Sequence, residues 1–323
     1  MGLDRGMVTF VAGHRGLVGS AVWRRLVAEG FTGLVGRTSA ELDLRDRDGT
    51  FQFFRTARPR CVVLAAARVG GIMANATRPV EFLSDNLRIQ TNVLDAALAV
   101  RVPRLLFLGS SCVYPKHARQ PITEDALLSG PLESTNDAYA IAKIAGIIQV
   151  QAVRRQHGLA WISAMPTNLY GPGDNFDPAT AHVLPALLRR THEACAAGAP
   201  RLTVWGTGRP RREFLHVDDL ARACLVLLER YDGDAPINLG TGVDVTIGDL
   251  ARIIASTVGF TGELAFDPTK PDGTPRKVLD VSRQTALGFR PVIGLSAGIR
   301  STYDWYRETT LAAAARVPAP VDC

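Results

Sequence analysis

Cysteine is scarce in this sequence, and its distribution argues against several kinds of protein. The 323 residues contain five cysteines, an odd number, and no Cys-x-x-Cys pair. We therefore expect neither a disulfide framework nor a metal site, and a reducing cytoplasmic location is the simplest interpretation. Long apolar runs are also lacking, since the best stretch, Cys61–Ala67, has only the length of a strand. The sequence predicts neither a membrane span nor a signal peptide.

Lysine is the second rare residue. Only four of the 37 basic residues are lysines, and the formal net charge is +6. The arginines are spread along the chain without a basic tail or block, so the sequence does not favour nucleic-acid binding, whereas an anionic ligand would suit this surplus. The length exceeds that of one ordinary domain, and 46% of the residues are hydrophobic. A large two-lobed domain or two domains with a real core are expected.

Strand and helix patterns alternate in the first half of the chain. Buried strands separated by helices predict an α/β protein with a Rossmann-type, doubly wound parallel sheet. The strand patterns are Met7–Ala12, Gly33–Gly36, Cys61–Ala66, Leu105–Leu108 and Ala160–Met165, and the helical ones are Leu17–Glu29, Pro79–Val100 and Tyr139–His157.

The second half is less regular and predicts a smaller lobe that interleaves with the first. Helical patterns cover His182–Ala197, Val217–Tyr231 and Ile247–Gly259, and Ile237–Gly240 is typical of a late strand that returns to the sheet. We expect residues 1–169, with 214–241 returning to them, to form the dinucleotide-binding domain. Residues 170–213 and 242–323 would form a C-terminal α/β lobe that binds the substrate.

Three glycines separate the first strand from the first helix. Gly13, Gly16 and Gly19 follow the spacing G-x-x-G-x-x-G. Glycines at this place let backbone N–H groups approach a pyrophosphate, and the helix N-terminus adds the positive end of its dipole. A tight turn without any ligand is the alternative. The position at the start of a doubly wound pattern favours a dinucleotide site.

The end of the second predicted strand indicates which dinucleotide binds. An acidic residue there would accept the free ribose hydroxyl of NAD, but the chain has Arg37 after Gly36. An arginine can neutralise the 2′-phosphate of NADP, and Arg15 could be a second clamp. Two solvated arginines in an arginine-rich protein are the alternative. The sequence favours NADP.

Tyr139 and Lys143 are the most informative pair in the sequence. Four residues apart on a helix, their side chains share one face. A nearby ammonium favours phenolate, so we expect Lys143 to lower the pKa of Tyr139 from about 10 and to make it a proton-exchanging group. A surface pair is the alternative.

Serines follow the predicted strand Leu105–Leu108. Ser110 or Ser111 would lie at the carboxyl end of that strand, near the crevice where doubly wound folds bind ligands. A hydroxyl beside Tyr139 could donate to a carbonyl oxygen. Serines also simply end strands, so Ser110 is informative only in combination with the tyrosine and lysine.

Together these motifs resemble the extended short-chain dehydrogenase/reductases that act on nucleotide sugars. The resemblance is most detailed to the GDP-4-keto-6-deoxy-D-mannose 3,5-epimerase-4-reductases, which make GDP-L-fucose. It runs in order over nearly the whole chain, through Gly13–Ser20, Val69–Ile72, Gly109–Pro115, Tyr139–Gly146, Met165–Pro172, His182–Arg190, Arg212–Asp219 and Lys270–Lys277.

The resemblance implies a two-part reaction and a role for each matched residue of the reaction centre. Ser110 and Tyr139 hold the C4 oxygen of the sugar, and Tyr139 donates the proton for reduction. Lys143 binds the nicotinamide ribose and tunes Tyr139. Cys112 is the base and His182 the acid that invert C3 and C5. A buried core cysteine and a histidine that only begins a helix are the alternatives for these last two.

The resemblance also implies the binding residues and a homodimer packed through two helices of the large lobe. NADPH would contact Gly13, His14, Arg15, Gly16, Leu17, Val18, Gly19, Arg37, Leu108, Gly109, Lys143, Pro166, Thr167, Asn168, Leu169 and His182. The GDP-sugar would contact Arg190, Trp205, Arg212 and Asp272, for which surface arginines and a core tryptophan are the alternatives.

Two other functions remain open on the sequence. The first is a reductase or epimerase of another GDP- or dTDP-keto sugar. The second is a regulator that binds NADP without catalysis, which would need a degraded reaction centre. Ser110, Tyr139 and Lys143 are all present, which favours the enzyme.

Overall fold

The computed structural model of the chain describes residues 3–270 and 272–314. It contains twelve strands in those ranges. In chain order they are Thr9–Ala12 (β1), Leu34–Val35 (β2), Cys61–Leu64 (β3), Arg104–Leu108 (β4), Ala160–Pro166 (β5), Asn168–Tyr170 (β6), Arg201–Trp205 (β7), Arg211–His216 (β8), Ile237–Leu239 (β9), Asp244–Thr246 (β10), Glu263–Asp267 (β11) and Arg276–Lys277 (β12).

Ten α-helices connect these strands within the described residues, and short 3₁₀ turns cover Ser111–Val113 and Glu124–Ala126. None of the described helices is long and apolar enough to cross a membrane. The helices are Leu17–Ala28 (α1), Arg47–Ala57 (α2), Ile72–Thr77 (α3), Pro79–Ala99 (α4), Asp137–His157 (α5), Val183–Ala196 (α6), Val217–Arg230 (α7), Ile247–Val258 (α8), Ser282–Ala286 (α9) and Leu295–Ala314 (α10).

The large sheet is parallel and has six strands in the order β2-β1-β3-β4-β5-β9. The order reverses between β1 and β3, and in doubly wound sheets ligands bind outside the carboxyl ends of the strands at such a point. The late strand β9 pairs with β5 through Ala164 and Ile237. The predicted Rossmann-type sheet is therefore confirmed.

Alternation along the strands builds a separate core on each face of the sheet. Phe10 and Ala12 of β1 pack into a cluster with α2, α4 and α5, whereas Val11 packs into a cluster with α1 and α7. Strand β4 divides in the same way, with Phe107 on the first face and Leu106 on the second. Because both faces are covered, the strands are continuous apolar runs, which is the pattern that the sequence shows.

The smaller lobe is built around β8. This strand pairs with β10 on one side and β12 on the other, and β6 also pairs with it. Helices α6, α8 and α10 cover this lobe with an apolar cluster that includes Leu188, Ile254 and Ile299. The proposed division of the chain at 169, 213 and 241 stays a prediction, and its 213/214 boundary lies inside β8. Residues 315–323 of the predicted lobe lie outside the described residues.

Several elements carry weak sequence signals and were not predicted. Helix α2 begins after Asp46, whose side chain accepts from the N–H groups of Asp48 and Gly49. The lobe strands β7, β8, β10, β11 and β12 are two to six residues long and pair over large sequence separations. Their existence depends on partners that local propensity does not reveal.

Gly146 generates the first prediction. A Cβ at this position in α5 would lie 2.4 Å from the ring of Phe107, which is fully buried in β4. We expect Gly146→Ala to lower the free energy of unfolding by about 1–2 kcal/mol, because overpacking outweighs the helix propensity that alanine adds. Urea unfolding measures this. Gly294→Ala is the control, since no atom lies within 4 Å of its new Cβ. An unchanged or higher stability of Gly146→Ala would contradict the packing argument.

Candidate active site

The glycine turn after β1 has a backbone that side chains would obstruct. Gly13 has φ +82°, and a Cβ there would lie 2.8 Å from the backbone nitrogen of Ala66. A Cβ at Gly19 would lie 2.1 Å from the carbonyl oxygen of Gly13. The two glycines thus allow α1 to begin directly at the switch point of the sheet. The helix N-terminus is placed where a dinucleotide pyrophosphate binds in such folds.

The turn also leaves polar groups that suit a dinucleotide. Gly16 is the N-cap of α1 and gives no side-chain hydrogen bond, so the N–H groups of the first turn have no partner from a cap. The Nδ1 atom of His14 is buried without a hydrogen-bond partner. A Cβ at Gly36 would lie 2.6 Å from the His14 ring, which shows how closely the end of β2 approaches the turn. These residues fit NADP.

Arginines surround this end of the site. The pKa of His14 lies below its ordinary value because burial removes water and because Arg15 and Arg37 add positive charge nearby. Arg37 is exposed, donates to the Gly36 carbonyl oxygen at 2.8 Å and lies 5.6 Å from the Phe53 ring centroid. Arg15 and Arg37 therefore both lie within electrostatic reach of His14, which is compatible with the predicted 2′-phosphate site.

Helix α5 and strand β4 together carry the predicted reaction centre. The Lys143 ammonium is buried and donates to the carbonyl oxygen of Leu108, the last residue of β4, at 2.8 Å. Two residues further, the Ser110 oxygen accepts from the backbone N–H of Cys112 at 3.2 Å. The Tyr139 phenol lies close enough to Ser110 for the serine hydroxyl to lower its pKa. The predicted serine, tyrosine and lysine are thus in one place.

The expected effect of Lys143 on Tyr139 is wrong for the chain without ligands. Burial raises the pKa of Tyr139, the Cys112 charge raises it further, and only the Ser110 hydrogen bond lowers it. Burial also lowers the pKa of Lys143 to about 8. The ammonium lies 5.9 Å from the Tyr139 ring centroid and bonds to a carbonyl instead. The loss of hydration decides the direction of the Tyr139 shift, which the spacing of the two residues could not show.

Cys112 is half-buried between polar groups that sequence reasoning did not select. The Asn136 side-chain amide donates to the Cys112 sulfur at 3.3 Å, and the Lys277 ammonium lies 3.8 Å from it. Arg212 is close enough for its pKa to respond to the Cys112 charge. Two side-chain donors thus lie at the Cys112 sulfur, and the Arg212 guanidinium is nearby. Two features of the sequence could have indicated these neighbours of Cys112. Asn136 directly precedes α5, and Lys277 ends the Lys270–Lys277 block.

His182 lies at the N-cap of α6 and gives that helix no side-chain hydrogen bond. Its side chain is exposed to solvent, yet the surrounding protein lowers the pKa of the imidazole below its ordinary value through lost hydration. The preceding Ala181 touches the Val69–Ile72 block, since a Cβ at Gly71 would lie 2.6 Å from the Ala181 carbonyl oxygen. Within the described ranges the imidazole has no hydrogen-bond partner, which leaves both nitrogens for a ligand.

The residues expected to bind a GDP-sugar lie on the smaller lobe. The Trp205 side chain is 54% exposed, and the Arg190 guanidinium and the Lys270 ammonium each lie 5.8 Å from its ring. Arg190 also donates to the Thr203 carbonyl oxygen. An exposed aromatic face flanked by cations suits a base carried on a diphosphate. The core-tryptophan alternative is thereby excluded for Trp205.

Arg212 and Asp272 are neighbours, and both already make hydrogen bonds within the protein. Arg212 donates to the Arg211 carbonyl oxygen at 2.9 Å and lies 3.5 Å from the Asp272 carbonyl oxygen. The Asp272 carboxylate already accepts from the Thr207 N–H and hydroxyl, each at 2.7 Å. A substrate could therefore donate hydrogen bonds only to the lone pairs of the Asp272 carboxylate that Thr207 leaves free.

The remaining predicted cofactor residues follow β4 and β5. Leu108 ends β4, and the N–H of Gly109 donates to the Ala164 carbonyl oxygen at 2.8 Å. Pro166 ends β5, and Thr167 separates it from Asn168 and Leu169 in β6. The Asn168 amide donates to the Glu213 carbonyl oxygen at 2.8 Å. Among the described side chains, no group of His, Cys, Asp and Glu could hold a metal ion.

The fold and the converging Ser110, Tyr139 and Lys143 define a dinucleotide-dependent dehydrogenase or reductase of the short-chain type. Residues 9–240 match the model of the NAD dependent epimerase/dehydratase family. The solved structure of a GDP-6-OMe-4-keto-L-xylo-heptose reductase from C. jejuni is similar, with a TM-score of 0.90, 33% identity, and coverage of 96% of this chain and 100% of that one.

More specific similarities concern one branch of that family. A probable GDP-L-fucose synthase 1 from Oryza sativa subsp. japonica is 58% identical over 96% of this chain and 95% of its own length. The GDP-L-fucose synthase of Escherichia coli (strain K12) is 53% identical over 93% and 96%. A GDP-L-fucose synthetase structure from Naegleria fowleri bound to NADP has a TM-score of 0.88 at 31% identity, over 96% and 97%. The chain belongs to the GDP-L-fucose synthase branch of the NAD dependent epimerase/dehydratase family, and its cofactor is NADP(H).

Arg37 generates a prediction about the cofactor. If its guanidinium pairs with the 2′-phosphate, Arg37→Met should weaken NADPH binding by about tenfold, the equivalent of one charge-assisted hydrogen bond. NADH binding should change by less than about twofold, since NADH has no such phosphate. Fluorescence titration of both cofactors measures the two constants. Arg55→Met, an exposed arginine on α2, is the control. Equal losses for NADPH and NADH would exclude the assigned contact.

Lys143 generates a prediction about stability. Its pKa falls to about 8 in the folded chain from an ordinary 10.5, so the buried cation opposes folding below pH 8. We expect ligand-free Lys143→Met to be about 1–2 kcal/mol more stable at pH 7 and inactive as a reductase, because methionine fills the space without a charge. The gain should shrink as the pH rises from 8 towards 10.5, where the lysine becomes neutral in both states.

Urea unfolding at pH 7 and at about pH 10 measures this difference. Lys270→Met removes an exposed ammonium and should leave stability nearly unchanged. A Lys143→Met chain that is less stable than its parent at pH 7 would show that the hydrogen bond to Leu108 outweighs the cost of burying the charge.

Proposed function

We propose that this chain converts GDP-4-keto-6-deoxy-D-mannose to GDP-L-fucose, with Ser110, Tyr139, Cys112 and His182 as its catalytic residues and Lys143 holding the cofactor. The branch to which it belongs supports NADPH-dependent epimerase and reductase activity in GDP-L-fucose biosynthesis. The observation that carries the residue roles is the meeting of three groups at one place. The Tyr139 hydroxyl lies near enough to Ser110 and to the Cys112 thiol for both to shift its pKa.

The first role is to polarise the C4 carbonyl. The Ser110 hydroxyl and the Tyr139 phenol lie close together and can both turn to one oxygen atom. Donors placed beforehand stabilise the negative charge that grows on this oxygen, both when a neighbouring carbon loses a proton and when C4 is reduced. One pair of donors therefore serves both parts of the reaction.

The second role is to protonate that oxygen at the end of reduction. Burial raises the pKa of Tyr139, so the phenol keeps its proton at neutral pH. A protonated phenol is the form needed by a group that donates. An alkoxide formed on C4 is a much stronger base than a phenolate, so the transfer is favourable even from a weakly acidic tyrosine. The high pKa thus agrees with the donor role, although it differs from the expectation of an acidified phenol.

The third role is to bind the reductant. Lys143, Arg15, Arg37 and the N-terminus of α1 are the groups that would hold NADPH. When bound, NADPH supplies the hydride that reduces C4. The buried Lys143 ammonium lacks a counter-charge among the described residues, and it fixes the side of the centre where the ribose hydroxyls would lie.

The fourth role is to invert C3 and C5 before reduction. The ketone at C4 acidifies the hydrogens on both carbons, and a base on one face with an acid on the other inverts each centre. Cys112, with Asn136 and Lys277 at its sulfur, is the base. His182 is the acid, and its lowered pKa makes the imidazolium a stronger donor.

We also propose a cytoplasmic homodimer that packs through two helices of the large lobe. Helix α5 supports this, because Ile141 and Ile148 are 47% and 39% exposed and lie seven residues apart on one face. Helix α4 packs beside α5 and would complete the interface. Four cysteines of the described chain are free thiols, in accord with a reducing compartment.

The epimerisation roles predict a clear isotope result. Cys112→Ala and His182→Asn should each reduce deuterium uptake from D₂O at C3 and C5 by at least about a hundredfold, since general acid–base groups contribute factors of this size. NADPH binding should remain within about threefold of the parent value, because the groups proposed to hold the cofactor charge are Arg15, Arg37 and the N-terminus of α1, and His182 is only one of many expected NADPH contacts. Mass spectrometry of the sugar and cofactor titration provide the two readouts.

Matched controls exist for both variants. Cys195→Ala changes another half-exposed free thiol, and His117→Asn changes another exposed histidine. Both should retain parental uptake. Parental uptake in Cys112→Ala and His182→Asn as well would overturn the assigned roles. Failure of the parent chain to act on GDP-4-keto-6-deoxy-D-mannose with NADPH would point to another keto sugar.

A further inference from the structure

Cys112 must lose a proton to become a thiolate again during each catalytic cycle, which we call its reset. One base and one acid invert two carbons, so after the first inversion Cys112 holds the proton that it removed and His182 has lost the proton that it gave. The second inversion needs a thiolate and an imidazolium again. Both groups must therefore exchange a proton with solvent while the sugar stays bound.

The two groups differ in their access to water. His182 is exposed in the chain without ligands. Cys112 is half-buried, and Asn136 and Lys277 cover part of its sulfur. A sugar placed for proton removal covers the side of the sulfur that faces the cleft. Cys112 therefore needs another route to solvent.

A small cavity lies against Cys112 and is about 10 Å³ in volume. This is about the room that one water needs, and the lining is polar enough to hold it. Cys112 is the one proposed catalytic residue that borders it within the described chain, so the cavity leads away from Ser110 and Tyr139. The polar residues that border it besides Cys112 include Lys116, Glu133, Thr274, Arg276 and Lys277.

Glu133 is the carboxylate in this lining, and Lys116, Thr135 and Thr274 hold its pKa below the ordinary value despite burial, so a proton that it takes up is quickly passed on. Its carboxylate is mostly buried, pairs with the Lys116 ammonium at 3.0 Å and accepts from the Thr274 hydroxyl at 3.3 Å. Lysine and arginine carry no free lone pair when charged, so Lys116, Arg276 and Lys277 cannot take up a proton. Lys116 is 35% exposed and connects the carboxylate to bulk water.

We propose that Glu133 is a proton-relay residue that resets Cys112 between the two inversions, an inference that rests on Cys112 as the epimerisation base. The thiol S–H bond breaks and its proton passes to a water in the cavity, while a proton of that water passes to the Glu133 carboxylate. The sulfur is left as thiolate beside Lys277. Glu133 then releases its proton to bulk water past Lys116. No electron is transferred, and atoms and charge balance.

The test separates the first inversion from the second. Enzyme in excess over GDP-4-keto-6-deoxy-D-mannose is mixed in D₂O without NADPH, quenched at short times, and the sugar is analysed by mass spectrometry. The first inversion uses a thiolate already present, whereas the second needs the relay. Glu133→Gln keeps the size and the hydrogen bond to Thr274 but cannot accept a proton. We expect the rate of the second deuteration relative to the first to fall at least about tenfold.

Rescue tests the relay against a structural role. Glu133→Ala enlarges the cavity, and added formate should restore the second deuteration, because a small carboxylate can replace the missing acceptor. Glu133→Asp should lie between the parent and Glu133→Gln. Asp137→Asn, an exposed carboxylate outside the cavity lining, should match the parent in both deuterations.

An unchanged ratio of the two rates in a folded Glu133→Gln chain would overturn the relay and leave Cys112 as the base. If Glu133→Gln does not fold, Glu133→Ala with and without formate decides, and absence of rescue counts against the relay. Parental uptake at both carbons in Cys112→Ala would instead overturn the proposed function itself. The two failures are therefore distinguishable.

Discussion

The hydrogen bond from the buried Lys143 ammonium to the Leu108 carbonyl oxygen joins the two elements on which the reaction centre depends. It ties α5 to the last residue of β4, and the chain continues from that residue to Ser110 and Cys112. Gly146 lets the same helix lie close to the Phe107 ring. Tyr139 can meet Ser110 only because helix and strand are held at this separation. The contact between α5 and β4 thus fixes both the packing of the helix on the sheet and the positions of the proposed catalytic side chains.

The buried carboxylate of Glu213 plays a comparable part in the smaller lobe. It is fully buried in β8 and accepts from the N–H groups of Gly242 and Leu279 at 2.7 and 2.8 Å. These bonds join three stretches of chain that are distant in sequence. Arg212 is its neighbour in β8, and Lys277 lies two residues before Leu279. The Glu213 carboxylate therefore helps to fix two chain segments whose side chains lie near Cys112.

Much of the large lobe could be predicted from the sequence because its signals are local. Apolar runs such as Cys61–Leu64 lie in strands covered on both faces, and glycines such as Gly13 occupy a backbone that other residues resist. The late strand β9 was also predicted, although the polar Asn238 lies between Ile237 and Leu239. The strands around β8 escaped prediction because they are short and pair across long separations.

The candidate site also contains residues that the sequence indicated and residues that it did not. Residue types and spacing identified Ser110, Tyr139 and Lys143, and resemblance added Cys112 and His182. Neither gave the polar neighbours of the Cys112 sulfur, since Asn136 and Lys277 reach it from different parts of the chain. The pKa of Tyr139 was predicted in the wrong direction because spacing reveals a nearby charge but not the water lost on burial.

Trp205 has a consequence for optical spectroscopy. Its indole is 54% exposed between two cations, whereas Trp161 is fully enclosed in the core. Indoles in water emit at longer wavelengths than indoles in an apolar core, so the two contribute to different parts of the emission band. A purine stacked on Trp205 would quench the red edge of that band, and the chain carries its own fluorescent reporter of an occupied lobe.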